Sequence, residues 1–174
     1  MTSLEEHPET ARGRPIYDLL LAVHAGIRRD LERVEELAAK AADGLPVEEL
    51  QRELHELRRD SFLWRLRVDC LRYCRFVHAH HSAEDHAFFP ELRTTNPEIG
   101  PVVDRLEADH RRVSDLLDAV EAAANALSEG GTADIRRELV DALHALGESL
   151  LEHLNYEELN VRSTVLRLRE GSTI

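Results

Sequence analysis

At 174 residues, 43% of them hydrophobic, the chain has the length of one domain and enough apolar content to bury a core without disulfides. Its formal net charge of -12, from 34 acids against 22 bases, disfavours nucleic acid or an anionic membrane surface as a partner, since both would repel it. Only 8 Gly and 6 Pro interrupt a sequence that is 32% charged, the composition of long amphipathic helices, and no run rich in β-branched residues argues for a sheet.

The opening MTSLEEHPETARGRP is polar and aperiodic, so residues 1–14, His7 among them, read as a flexible lead-in. It lacks the basic-then-apolar order of a secretion leader, and no run approaches the ~20 apolar residues of a membrane span. A cytoplasmic protein with no membrane association is the expectation. From Pro15, apolar residues recur at Ile16, Leu20, Val23, Ile27, Leu31 and Val34, which predicts a first helix ending near DGLP at 43–46. The next stripe runs through Leu50, Leu54 and Leu57, loses phase at RRDS (58–61), and resumes at Leu63, Leu66, Cys70, Tyr73 and Val77 as far as Phe88. A short extra helix or extension, then a main second helix stopped by TTNP at 94–97, accounts for that break. The third helix runs from Glu98 to Leu127 on Val103, Leu106, Val113, Leu117 and Val120, and SEGG closes it. The fourth starts near Thr132 and carries Leu139, Leu143, Leu146, Leu150, Leu154, Val161 and Leu168.

Long helices joined by short Pro or Gly loops must turn back on themselves, so the expected fold is all-α, an antiparallel up-down-up-down four-helix bundle. It spans residues 15–170, with 171–174 as a tail. Cys70 and Cys74, four apart on the second helix, suit two buried small side chains better than a disulfide framework.

Ten histidines are many for such a chain, and their positions matter more than their number. His24 falls within the apolar stripe of the first helix and His110 within that of the third. A histidine and an acid four apart share one helix face, and four pairs have this spacing: His80 with Glu84, His81 with Asp85, His144 with Glu148, and His153 with Glu157. Helical phase separates them. Glu157 lies close to the Leu143, Leu150 and Val161 direction with His153 beside it, whereas His144 and Glu148 point away, as a solvated pair. On the second helix the phase leaves both pairs open: Glu84 lies on one flank of the core face, His81 near its centre, Asp85 on the far flank, and His80 towards the edge with Tyr73.

Depth is a second criterion, at ~1.5 Å per residue. His24 is nine residues into the first helix and His110 twelve into the third. His80 and Glu84 lie thirteen and nine before Arg93, and His153 and Glu157 fifteen and eleven before Leu168. In an antiparallel bundle all four groups fall in one layer, and independent core histidines have no reason to converge so. Several imidazoles with at least two carboxylates from four helices suit a pair of divalent ions bridged by carboxylates, iron or manganese, with zinc as an alternative. The zinc-protease pattern HExxH is absent, since His55 is followed by ELRR, and the Glu-x-x-His of other dinuclear bundles occurs only at Glu107 to His110.

A lone histidine on the first helix, His-x-x-x-Glu late in the second, a lone histidine on the third and His-x-x-x-Glu on the fourth together resemble the hemerythrin-like family of HHE cation-binding domains. The specific stretches are HHSAEDHAFFPEL at 80–92, EADHRRV at 107–113 and HLNYEEL at 153–159, and the likeness covers roughly 15–168. It implies a diiron centre held by His24, His80, Glu84, His110, His153 and Glu157, with the two glutamates bridging. His81 joins the set because the residue after the second-helix histidine can also ligate in similar proteins. Asp85 is kept outside the ligand set as a supporting neighbour, and Tyr73, two turns from His80, is read as a packing residue. His55, His78 and His86 read as surface or peripheral, His78 nearest the core. One departure stands out: reversible oxygen carriers of the family have a second third-helix histidine where this chain has Ser114. That weakens simple oxygen carriage and leaves room for reactivity.

The expected partners are a diatomic ligand or peroxide, and a small organic substrate if the centre turns over. Three functions follow: a module that binds, reacts with or senses oxygen, peroxide, nitric oxide or iron; an enzyme that oxidises a small molecule or removes peroxide; and a bundle whose zinc only staples the fold.

Overall fold

The structure, a computed structural model, describes residues 10–44, 62–127 and 131–168. The expected short helix before the second long one falls on 47–61, outside the described residues, as do positions 1–9 and 171–174. The chain forms α1 (Gly13–Ala42), α2 (Phe62–Ala83), a π-helical turn (Glu84–Phe88), α3 (Phe89–Thr95), a 3-10 turn (Pro97–Ile99), α4 (Gly100–Ala126) and α5 (Ala133–Val165). The expected second helix is therefore α2, the π turn and α3 in continuous succession. Among the described residues there is no strand, and no helix is long and apolar enough to cross a membrane.

Local chemistry sets the boundaries. Thr132 caps α5 by accepting from the Ile135 amide at 3.3 Å, and Asn96 accepts from the Glu98 amide at 3.2 Å, where TTNP breaks the chain. Pro101 occupies the first turn of α4, where its missing N–H costs nothing. Positions 10–14, expected in the flexible lead-in, are instead fastened. Thr10 donates its amide to the Leu166 carbonyl at 2.9 Å and its hydroxyl to the Leu168 carbonyl at 2.5 Å, and its Oγ1 accepts from the Gly13 amide at 2.8 Å. Gly13 is needed there, because a Cβ would meet the Val165 carbonyl oxygen and lie 2.7 Å from the Leu166 carbonyl carbon. The lead-in thus ends earlier than the polarity of ETARGR suggests, because hydrogen bonds rather than apolar side chains tie it down.

Cross-helix contacts fix the antiparallel order. Tyr17 meets Glu158 while Arg28 meets Asn155, and Arg67 meets Asn125 while Arg93 meets Asp104. The interior is two apolar clusters. The larger includes Ile27, Leu31, Leu66, Tyr73, Val77, Val113, Leu117, Leu143, Leu150 and Leu154. The smaller includes Leu20, Phe88, Phe89, Leu92, Val103, Leu106, Val161 and Leu168. Between Leu20 and Ile27, Val77 and Phe88, Leu106 and Val113, and Leu154 and Val161 lies a polar layer containing His24, His81, Glu84, His110, His153 and Glu157, all buried.

The π turn explains how α2 serves both the layer and the smaller cluster. Pro90 has no N–H to donate to His86, and in a regular helix its ring would crowd that carbonyl. The chain widens, and the Phe89 amide donates to the Glu84 carbonyl five residues back. The extra residue turns Phe89 and Leu92, both 0% exposed, onto the face that Glu84 already shares. Cys70 and Cys74 are free and buried in the larger cluster, with burial pushing both thiols up to about 12.

Candidate metal centre

Two groups of donors meet in the polar layer. One donor atom from each of His81, Glu84, His110 and His153 lies within 4.8 Å of the others, and the same holds for His24, His80 and Glu84. Glu84 belongs to both. Its Oε1 stands 3.2 Å from His80 Nε2 and 4.0 Å from His24 Nε2, and its Oε2 3.4 Å from His110 Nε2. Glu157 Oε2 lies 3.4 Å from His24 Nε2 and 3.8 Å from His153 Nε2, between the groups. All seven side chains expected at the layer are thus brought together. His80 and His81 both take part because they stand on either side of the Glu84 direction, each turned to a different group.

The third-helix position held by Ser114 is only partly buried and brings no imidazole. His81 supplies one from α2: its ring stacks on His110 at 4.0 Å between centroids and 10° between planes, and meets His153 edge-on at 5.1 Å.

Hydrogen-bond partners fix the direction of two lone pairs. His24 Nδ1 is 2.9 Å from Glu158 Oε1, and His110 Nδ1 is 2.8 Å from Asp85 Oδ1. A carboxylate only accepts, so each Nδ1 carries the hydrogen and each Nε2 offers its lone pair inward. There His24 Nε2 faces His80 Nε2 at 3.1 Å and His110 Nε2 faces His153 Nε2 at 3.2 Å. Both oxygens of Glu84, both of Glu157, and His81 Nε2 and His153 Nδ1 are buried without a hydrogen-bond partner. Acceptors crowded without donors are costly in a dry interior, unless a cation draws them together. Donors ~2.1 Å from one ion stand ~3–4 Å apart, which is the spacing found here. The residues therefore fit a pair of divalent cations.

Burial also sets the protonation. His24, His80, His81, His110 and His153 are all held neutral, their pKa values lowered from 6.5 chiefly by burial, with His80 down to about 3. Burial raises Glu84 and Glu157 above 4.5, and in Glu84 the facing Glu157 adds to it. On unfolding, the imidazoles take up protons below pH ~6.5, while the two carboxyls release protons above pH ~4.5. The imidazoles act against the carboxyls between these values, and the three pushed furthest down, His80, His81 and His153, outweigh them below pH ~6, so the metal-free protein loses stability as pH falls from ~6 to ~5. Thermal melts in chelator at the two pH values check this, and a higher melting temperature at pH 5 would show that the imidazoles are not held neutral.

Of the other histidines, His78 pairs with Asp118 at 3.7 Å on the outside, His86 is exposed with Nδ1 2.7 Å from the Ser82 carbonyl, and His144 and Glu148 are both exposed. His7 and His55 lie outside the described residues. Tyr73 packs in the larger cluster, its hydroxyl pushed far up by burial. Three further neighbours of the layer lie outside the expected set. Glu158 and Arg28 support His24, and the Phe89 ring lies against His110 at 5.2 Å and 21°. A signal for the first two existed, since Arg28 is one turn after His24 and Glu158 follows Glu157. Phe89 carried none, because a regular helix turns it away from Glu84.

The chain matches the family model of the hemerythrin HHE cation binding domain over residues 15–162. No curated protein and no solved structure matches it. With a four-helix bundle, a buried His and Glu layer able to hold metal, and a family match across most of its length, the chain belongs to the hemerythrin HHE cation-binding domain family.

Proposed function

We propose that the layer holds two non-haem iron ions, bridged by Glu84 and Glu157, and that the protein binds or reacts with oxygen, peroxide or nitric oxide, or senses oxygen or iron. The observation that carries this is the position of Glu84, whose two oxygens face two different sets of imidazoles. Mixed nitrogen and oxygen donors without thiolate suit iron, with manganese or zinc as the alternatives. Bound iron would supply reversible ligation or reduction of such small molecules. The chain's own part is to present neutral imidazoles, to hold His24 and His110 from behind, and to exclude bulk water through the apolar clusters above and below. His81, His110 and His153 with the two glutamates would give one ion five side-chain donors, and His24 and His80 with the same glutamates would give the other four, both fewer than the six of an octahedral ion, which leaves room for an incoming ligand. Two free, buried cysteines accord with a cytoplasmic setting.

A second reading, oxidation of a small organic substrate, draws on a cleft of about 190 Å³ between α1 and α2 lined by Asp30, Arg33, Val34, Asp69, Arg72, Tyr73 and Phe76. Phe76 lies one turn before His80, the least buried ligand candidate.

The test is to count metals per purified chain, reduce the protein without air, and follow absorbance on adding oxygen, peroxide or nitric oxide. Two irons and a stable new band are expected. Continued consumption of peroxide or of an added substrate would favour the enzyme. A single zinc with no spectral response would sink both redox readings and leave the staple.

A further inference from the structure

Two carboxylates stand behind the centre, and they keep different company. Asp85 accepts from His110, and among the described residues no arginine or lysine reaches it at ion-pair distance. Glu158 Oε1 accepts from His24 Nδ1 at 2.9 Å and also from Arg28 Nη1 at 2.7 Å. Arg28 is itself steadied by Nη2 donating to Asn155 Oδ1 at 2.9 Å, and the Glu158 backbone oxygen accepts from the Tyr17 hydroxyl at 3.0 Å. The ring of His24 is wholly buried.

We propose that Glu158 is the positioning residue for His24 and that Arg28 moderates it: the carboxylate fixes the ring with Nε2 inward, and the guanidinium takes a share of the same oxygen. A carboxylate behind a metal-binding imidazole orients the ring and strengthens its lone pair. Arg28 withdraws part of that charge from His24, while among the described residues no arginine or lysine draws on the Asp85 carboxylate that faces His110. The two halves of the centre are thereby tuned unequally by residues that touch no metal. This inference rests on the dinuclear reading above.

The experiment is cobalt(II) binding to metal-free protein, read by visible absorption and by competition with a chromophoric chelator, with thermal melts of the metal-free variants alongside. Glu158→Ala should weaken binding roughly 10–100-fold and alter the cobalt band, and Glu158→Gln, which keeps an acceptor for both neighbours, should lose less. Arg28→Ala breaks the same bridge between α1 and α5 and should lower the metal-free melting temperature too, yet keep or tighten cobalt affinity. Equal losses in Arg28→Ala and Glu158→Ala would overturn the inference, because the bridge would then be structural only. Wild-type affinity in both Glu158 variants would overturn it as well. A wild-type protein that takes up no cobalt would defeat the dinuclear reading itself, whereas good wild-type binding with unresponsive variants defeats this inference alone.

Discussion

Glu84→Ala is expected to release both metal ions together, taking the content from two per chain to none. The expectation follows from Glu84 being, among the described residues, common to both donor groups. Its loss strips a donor from each ion and should cost more affinity than the roughly 10–100-fold typical of an outer partner. The metal-free state responds in the opposite sense. Burial and the facing Glu157 already force the Glu84 carboxyl to hold its proton above the usual range, so Glu84→Gln removes an acid that the fold does not welcome. Metal-free Glu84→Gln should therefore melt at or above the wild type while binding little metal. Metal analysis and melts in chelator read the two effects separately, and His144→Ala, altered on an exposed face, should change neither. Retention of two ions by Glu84→Ala would mean that the carboxylate is not shared.

The largest stability effect is expected at Phe89. Its side chain is 0% exposed, packs in the smaller cluster and lies against the His110 ring. Replacing it by alanine removes most of an aromatic core residue and leaves a cavity, a loss of about 3–5 kcal/mol. Urea unfolding of the metal-free protein measures it. A change below about 1 kcal/mol would show that α3 collapses into the gap and that the wide turn does not hold Phe89 rigidly.

Much of this was legible from spacing. The stripes of the long helices predicted their extent within a few residues, and the convergence of His24, His110 and the two His-x-x-x-Glu pairs needed only helix geometry and antiparallel order. Where phase alone left His80/Glu84 and His81/Asp85 open, the structure sets His80, His81 and Glu84 in the donor groups and Asp85 behind His110. A helical wheel ranks directions from one axis, but two donor groups side by side make two neighbouring directions useful. Phe89 was harder to foresee, because Pro90 widens the turn before it and shifts the phase by a residue. Glu158 was harder still: it meets His24 across 134 residues of chain, through a contact between helices to which periodicity within one helix is blind.

The polar layer gives the chain something its free cysteines do not. His24 and His80 are 56 residues apart in sequence, and His110 and His153 are 43 apart. An ion shared by such a pair would close a loop as a disulfide does, and Glu84, common to both donor groups, would join the two closures into one knot through all the long helices. Cross-links of this span act largely on the unfolded chain, whose freedom they restrict, and doubling a loop's length adds only about 0.6 kcal/mol to that effect. Occupancy of the centre would then work as a removable staple, formed without oxidation and undone by a chelator.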